Sequence, residues 1–205
     1  MRDIHAILLD LGNVVIKLNP SALETGYGAY SKTAEKEIEE YILDSDDMNR
    51  YMEGKLSSRQ FYGKVRRRFK MNIDYDEFYG IWNSMFLGYP EMEEIIRALK
   101  EKYPEIKLIL ISNTNEAHYD FIKDKFDILE LLDGHIVSHE LGVQKPDPKI
   151  FSEAMKLAGS IPKTTFYTDD REDLISAARA MGIKAFQFTG HGGFRSQLAK
   201  YGIEV

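Results

Sequence analysis

A short apolar run, Ile4-His5-Ala6-Ile7-Leu8-Leu9, stops at Asp10-Leu11-Gly12-Asn13, and that stop constrains the fold more than any other feature of the chain. A run of this length bounded by a carboxylate and a glycine reads as a buried strand. Packing gives no reason for the carboxylate that follows. In an open parallel α/β sheet, ligands bind in the crevice outside the carboxyl ends of the strands. Further strand-like runs lie at 107–111, 135–137, 164–167 and 183–186. Helical patterns alternate with the later ones. Met92, Ile95, Ile96 and Leu99 share one face of 91–103, which opens on Pro90 and carries Glu91, Glu93 and Glu94 in its first turn. Residues 148–158 and 171–181 repeat the helical spacing, the second ended by Gly182. Strands alternating with helices predict a Rossmann-like α/β fold with a parallel sheet and right-handed crossovers.

Residues from about 19 to 88 break that rhythm. They contain no convincing strand. Helical patterns fall near 33–43, 46–53, 57–69 and 75–84, and Phe61, Val65 and Phe69 form one stripe. Asn19-Pro20 and Gly88-Tyr89-Pro90 bracket the segment with turn chemistry. The expected organisation is a core of residues 1–18 and 89–205 with a helical cap of residues 19–88 inserted after the first strand.

The full length of 205 residues suits one core domain and a modest insert. Hydrophobic residues make up 43% and charged residues 29%, as in soluble globular proteins. A formal net charge of −6 argues against nucleic acid or an anionic membrane as partner. With no cysteine, thiolate nucleophiles and Cys-ligated zinc are excluded. No apolar stretch is long enough for a signal peptide or a membrane span, and a cytoplasmic location is expected. The sequence leaves the oligomeric state open between monomer and homodimer.

Later segments supply partners for Asp10: Ser112-Asn113 after the second core strand, Lys145-Pro146 in a loop, and Asp169-Asp170 after another strand. Strand ends converge on one edge of a parallel sheet, which gathers Asp10, Asp169 and Asp170, with Asp173 one turn later. Carboxylates at close range raise one another's pKa unless a cation sits among them. A hard divalent ion resolves the conflict, and Mg²⁺ typically uses one or two carboxylates plus substrate phosphate. Lys145 adds positive charge for an anionic substrate or transition state.

Asp10-Leu11-Gly12-Asn13-Val14, Ser112-Asn113, Lys145-Pro146-Asp147-Pro148 and Asp169-Asp170-Arg171-Glu172-Asp173 resemble, in order and spacing, the four motifs of the haloacid-dehalogenase-like (HAD) hydrolases. The resemblance covers nearly the whole chain. It is nearest to the subgroup of α-glucose-1-phosphate phosphatases and epoxide-hydrolase N-terminal phosphatase domains. It implies a phosphatase acting on a small phosphate ester, preferably a sugar phosphate, through an aspartyl-phosphate. It casts Asp10 as nucleophile, and Ser112 and the amide of Asn113 as holders of phosphoryl oxygens. Lys145 would neutralise both nucleophile and phosphate. Asp10, the carbonyl of Gly12, Asp169 and Asp170 would hold Mg²⁺, while Asp173 would orient the last motif.

Most phosphatases of this family carry a second Asp, the general acid, where this chain has Gly12. General acid–base help is typically worth roughly 10²–10⁴-fold. Its loss matters least for an acidic leaving group such as an anomeric hydroxyl. His118 or a cap residue could donate instead, and the Glu53-Gly54 turn is expected to face the site. Two other readings use the same residues: a metal-free 2-haloacid dehalogenase, and a phosphometabolite-binding protein that has lost turnover. Asp169 or Asp170 could cap the following helix. Arg66-Arg67-Arg68 reads as a solvated helix end, and Gly190-His191-Gly192-Gly193 as a flexible connection to the last helix.

Overall fold

The computed structural model describes residues 4–19 and 26–205. Residues 1–3 and 20–25, including Pro20 at the expected start of the insert, lie outside the described residues. The first part of the chain forms β1 (Ala6–Leu9), β2 (Lys17–Leu18), α1 (Glu35–Leu43), α2 (Asp46–Met52), α3 (Ser58–Arg68), α4 (Tyr75–Asn83) and β3 (Phe86–Leu87). The remainder forms α5 (Pro90–Lys102), β4 (Lys107–Ser112), α6 (Glu116–Lys125), β5 (Gly134–Val137), α7 (Ser138–Leu141), α8 (Pro148–Ala158), β6 (Thr165–Asp169), α9 (Glu172–Ala180), β7 (Lys184–Gln187) and α10 (His191–Ala199).

Five strands pair in parallel in the order β5-β4-β1-β6-β7, so the strand order reverses around β1. Leu9 stands opposite Leu110 of β4 and Thr168 of β6, which brings Asp10 level with Ile111 and Asp169. Alternation along the strands divides the core into two layers. Ile7, Leu9, Leu110 and Phe166 pack with α5, α6 and α10. Leu8, Ile109, Ile111 and Tyr167 pack with α8 and α9 on the opposite face. Helix α5 begins on Pro90, buries the expected Met92, Ile95, Ile96 and Leu99, and ends with Lys100 and Lys102 near its negative pole.

Helices α1 to α4 build a separate apolar cluster. At its centre Trp82 is fully buried among the rings of Tyr51, Phe61, Phe78 and Tyr79. The Phe61, Val65, Phe69 stripe is buried as its spacing predicts. A capping box between Ser57 and Gln60 starts α3.

Two expectations for this region need correction. It does contain a strand: β3 pairs antiparallel with β2, closing the insert's two connections into a ribbon. Two-residue strands carry no readable alternation. The Glu53-Gly54 turn does not face the site. Gly54 adopts φ +68°, and a Cβ there would lie 2.0 Å from the carbonyl oxygen of His139, so this turn is pressed against α7. Near the C-terminus, Gly190 (φ +110°) precedes α10 and His191 begins it, so the glycine-rich stretch is helix rather than a flexible connection. Among the described residues no helix is long and apolar enough to cross a membrane.

The insert is tied to the core through the ends of four helices, α2 and α3 on its side and α6 and α7 on the other. Glu116, first in α6, accepts hydrogen bonds from the Ser58 N–H (3.2 Å) and hydroxyl (2.5 Å) at the start of α3. Tyr51 of α2 accepts the N–H of Ala117 at 3.3 Å. The Ser138 hydroxyl donates to the Met52 carbonyl at 2.6 Å. His118 completes the seam. It is not the exposed helix-start residue its position suggests: it is buried, with its ring edge-on to Trp82 (4.3 Å) and Phe86 (4.9 Å).

Burial holds the His118 imidazole down at about 3, far below its ordinary 6.5. The unfolded chain therefore binds a proton here as pH falls through 6.5, while the folded chain does not until about 3. This contribution to stability is complete above pH 6.5 and drains away below it, by about 1.4 kcal/mol per pH unit. Urea unfolding of His118→Phe from pH 7 to 4 is expected to lose about one proton's worth of that slope. An unchanged slope would mean that His118 titrates freely in the folded protein.

Candidate active site

At the carboxyl edge of the sheet, strand ends and loops enclose a cleft of about 420 Å³. Asp10, Gly12, Ser112, Asn113, Lys145, Asp169 and Asp170 all line it, so the structure brings together the residues expected to serve as nucleophile, phosphate holders and metal ligands. From the insert, Leu43, Asp44, Met48, Asn49 and Met52 form the opposite wall. His118, Glu53 and Lys17 are not part of the lining.

The centre of the site is a buried ion cluster. The Lys145 side chain is 1% exposed. Its Nζ donates to Asp10 Oδ1 (2.5 Å), Asp169 Oδ2 (2.7 Å) and the Ile111 carbonyl (3.1 Å). An ammonium has three donors, and these acceptors use them all. Burial alone would push the Lys145 pKa down, but Asp10 and Asp169 overrule it and the net shift is upward, so the ammonium stays charged. Burial drives the Asp10 carboxyl up to about 6, Lys145 opposes it, and Asp169 and Asp170 add to it.

Oxygens of Asp10, Asp169 and Asp170 lie within 4.8 Å of one another. Three carboxylates against one ammonium leave the cluster at −2 when all are ionised. Among the described residues no hydrogen-bond donor reaches the second oxygen of Asp10 or of Asp170. Free oxygens, excess negative charge and burial together match what a divalent cation with oxygen ligands requires.

Sequence reasoning missed several supports. Asn113 holds the Lys145 backbone at both ends, donating to its carbonyl (3.0 Å) and accepting its N–H (2.7 Å). Asn13, at φ +57°, donates to Asp170 Oδ2 at 2.9 Å and accepts the Leu18 N–H at 3.3 Å. Asn tolerates the left-handed region better than most residues, and that preference was the available signal. Arg171 also lines the cleft, its guanidinium held by Asp173 at 3.1 and 2.6 Å. Behind the site, the Tyr167 hydroxyl donates to Asp169 Oδ2. Burial and the nearby carboxylates raise the Tyr167 pKa, so the phenol remains a donor.

Neither Asp169 nor Asp170 caps α9. The cap position is Arg171, whose N–H donates to Asp169 Oδ1 at 3.0 Å. Gly12 is not in the left-handed region. A Cβ built on it would meet Leu18 Cδ1 at 3.1 Å and Asp10 Oδ2 at 3.9 Å.

The curated relatives include a D-ribitol-5-phosphate phosphatase from Bacteroides thetaiotaomicron, 24% identical over 204 residues that span 95% of this chain and 97% of that protein. The chain spans only 46% and 34% of the length of two further curated relatives. Among solved structures, a predicted HAD-like family hydrolase from Porphyromonas gingivalis superposes with a TM-score of 0.81 at 24% identity, covering 98% of this chain and 99% of that one. A HAD family enzyme from B. thetaiotaomicron, solved with magnesium and inorganic phosphate, gives 0.80 at 24% identity, covering 92% and 96%. The family model for haloacid dehalogenase-like hydrolases matches residues 4–182, and the chain belongs to that family.

Proposed function

We propose that this protein is a Mg²⁺-dependent phosphatase of small polyhydroxylated phosphate esters, sugar or polyol phosphates, working through an aspartyl-phosphate. The observation that carries the reading is the cluster of buried Asp10 and Asp169, both paired with buried Lys145, and half-buried Asp170 beside them in the cleft. The magnesium and phosphate of one structural neighbour and the ribitol-phosphate activity of one relative support it. The division of labour between a core and a cap of residues 19–88 belongs to the same proposal.

In this reading Asp10 attacks phosphorus, and the bond from phosphorus to the ester oxygen breaks. Lys145 keeps Asp10 ionised and aimed, because the ammonium stabilises the carboxylate it touches. It bears on the phosphate through its charge alone, since its donors are taken. Ser112 and the Asn113 N–H receive phosphoryl oxygens at the end of β4. Asp10, Asp169, Asp170 and the Gly12 carbonyl would hold Mg²⁺, whose chemistry is to offset negative charge on the transferring phosphoryl group. With no acid at position 12, the departing alkoxide takes its proton from water. Water then cleaves the aspartyl-phosphate, releasing phosphate and restoring Asp10. The insert wall supplies Asp44 and Asn49 as partners for substrate hydroxyls.

Phosphate release from a panel of anomeric sugar phosphates and polyol phosphates, with Mg²⁺ and with EDTA, tests the reading beside Asp10→Asn. The expected result is metal-dependent release that the variant abolishes. Halide release from 2-haloacids that survives EDTA would instead make the protein a dehalogenase. No turnover despite phosphate binding would make it a binding protein.

The space at Gly12 yields a second expectation. Gly12→Asp places a carboxyl beside Asp10, and the only neighbour in the way is the flexible Leu18 tip. Release from primary alkyl phosphates should rise by at least about tenfold, within the roughly 10²–10⁴-fold range of acid catalysis. Release from anomeric phosphates should not rise. No gain on alkyl phosphates would show that proton donation does not limit the native enzyme.

Lys145→Met leaves Asp10 and Asp169 buried without a counter-charge, a loss expected to cost about 3–5 kcal/mol at pH 7.5 in EDTA. A carboxyl whose folded pKa is raised favours the folded state below its unfolded pKa, and that contribution is lost as pH rises through the folded value, here about 6. The deficit of the variant should therefore shrink at pH 5, where Asp10 is protonated, and shrink at pH 7.5 when Mg²⁺ is added. Urea unfolding at both pH values checks this, and a deficit independent of pH and metal would rule out the charge argument.

A further inference from the structure

Tyr167 is the penultimate but one residue of β6 and points to the same face of the sheet as Asp169, one pleat behind it. It is fully buried, stacked edge-on to Phe151 at 5.3 Å, and takes no part in lining the cleft. Its apolar neighbours would accept a phenylalanine equally well. Among the described residues its hydroxyl meets Asp169 Oδ2, which it shares with Lys145 Nζ, and that ammonium also lies 5.8 Å from its ring centroid.

Counting lone pairs shows what that contact does. A carboxylate offers about four acceptor sites, two on each oxygen. On Asp169, Lys145 and Tyr167 occupy both sites of Oδ2, and the Arg171 N–H occupies one of Oδ1. One site on Oδ1 remains. Asp169 is thus presented to the cluster as a single-oxygen ligand whose plane is set by three donors from three different segments.

We propose that Tyr167 is a positioning residue of the metal site, its hydroxyl fixing the Asp169 carboxylate so that Oδ1 faces the cation. The proposal rests on the metal-dependent reading of the cluster given above. Partners behind a metal ligand typically contribute 10–100-fold in metal affinity or activity when removed.

The test is Mg²⁺ alone, titrated calorimetrically into the full chain as wild type, Tyr167→Phe and Thr168→Val. Tyr167→Phe keeps the ring and strands no buried group, because Lys145 still holds Asp169 Oδ2. Its fold is checked by the thermal transition in EDTA. Thr168→Val is the structural control: it removes another buried hydroxyl from the same strand, one that donates to the Phe186 carbonyl at 3.0 Å, away from the cluster.

The expected result is a Mg²⁺ dissociation constant raised 10–100-fold in Tyr167→Phe and unchanged in Thr168→Val, with kcat of Tyr167→Phe largely recovered at saturating Mg²⁺. Wild-type affinity in Tyr167→Phe overturns the proposal, as does an equal loss in Thr168→Val, which would be general loosening of β6. If wild type binds Mg²⁺ and releases phosphate while Tyr167→Phe matches it, only this proposal falls. If wild type binds no Mg²⁺, the reading of the cluster falls with it.

Discussion

Everything at the carboxyl edge of the sheet depends on one buried ammonium. Lys145 joins the ends of β1 and β6 by contacting Asp10 and Asp169, and reaches the end of β4 through the Ile111 carbonyl. Removing such charges from water is costly, and the mutual attraction offsets that cost only when every donor and acceptor is placed. The structure meets this condition for Lys145 itself and leaves it unmet for the carboxylates, which outnumber it. Burial is the main cause of the raised Asp10 pKa, and Asp169 and Asp170 add to it against the opposing pull of Lys145. A stability-only design would have neutralised the cluster or replaced it with apolar side chains. The retained imbalance is the strongest physical reason to regard this edge as a place where positive charge, and then an anionic substrate, is received.

The insert forms the second wall of the cleft, and it is attached to the core at helix ends. Glu116 lies against the start of α3, where helix N–H groups favour a carboxylate, while Tyr51 accepts an N–H from the start of α6. Hydrogen bonds at these helix starts thus cross the boundary in both directions. Gly54 pressed on α7 and His118 wedged against Trp82 add contacts that tolerate little displacement. The β2–β3 ribbon is the remaining connection, and Leu18 within it touches the space over Gly12. In the proposed reading, the wall that meets the substrate, from Asp44 to Met52, belongs to an insert joined to the core by these contacts.

The parts of the fold legible in the sequence were those specified locally. The central strands β1, β4 and β6 were visible as apolar runs because they are buried on both faces, whereas the edge strands β5 and β7 are only partly covered. Each core helix was visible from its period and its end signals. Asp10 and Asp169 stood out because carboxylates directly after buried strands have no packing role. What escaped was non-local. The ribbon was too short to show a pattern. Asn113 and Asn13 act on Lys145 and Asp170, far away in the chain, and nothing near either residue announces its partner. His118 shares a helix face with Ile122, which hinted at burial, but its cover is Trp82, which only the folded insert supplies. Tyr167 looked like any aromatic core residue until its hydroxyl was found on Asp169.

Gly12 draws these threads together. Its backbone does not need glycine, since its φ lies outside the left-handed region. The space beyond it is closed only by the tip of Leu18. A side chain at this place was therefore open to the fold, and its absence has to be explained by chemistry or by substrate shape. A carboxyl here would stand next to Asp10 and add repulsion to a carboxyl whose pKa burial already raises, with Asp169 and Asp170 adding to the shift. For a leaving group acidic enough to depart unprotonated, that added repulsion would weaken the nucleophile without any return. Glycine is then the better residue for such a leaving group, and within the proposed reading it favours anomeric sugar phosphates over esters of simple alkoxides.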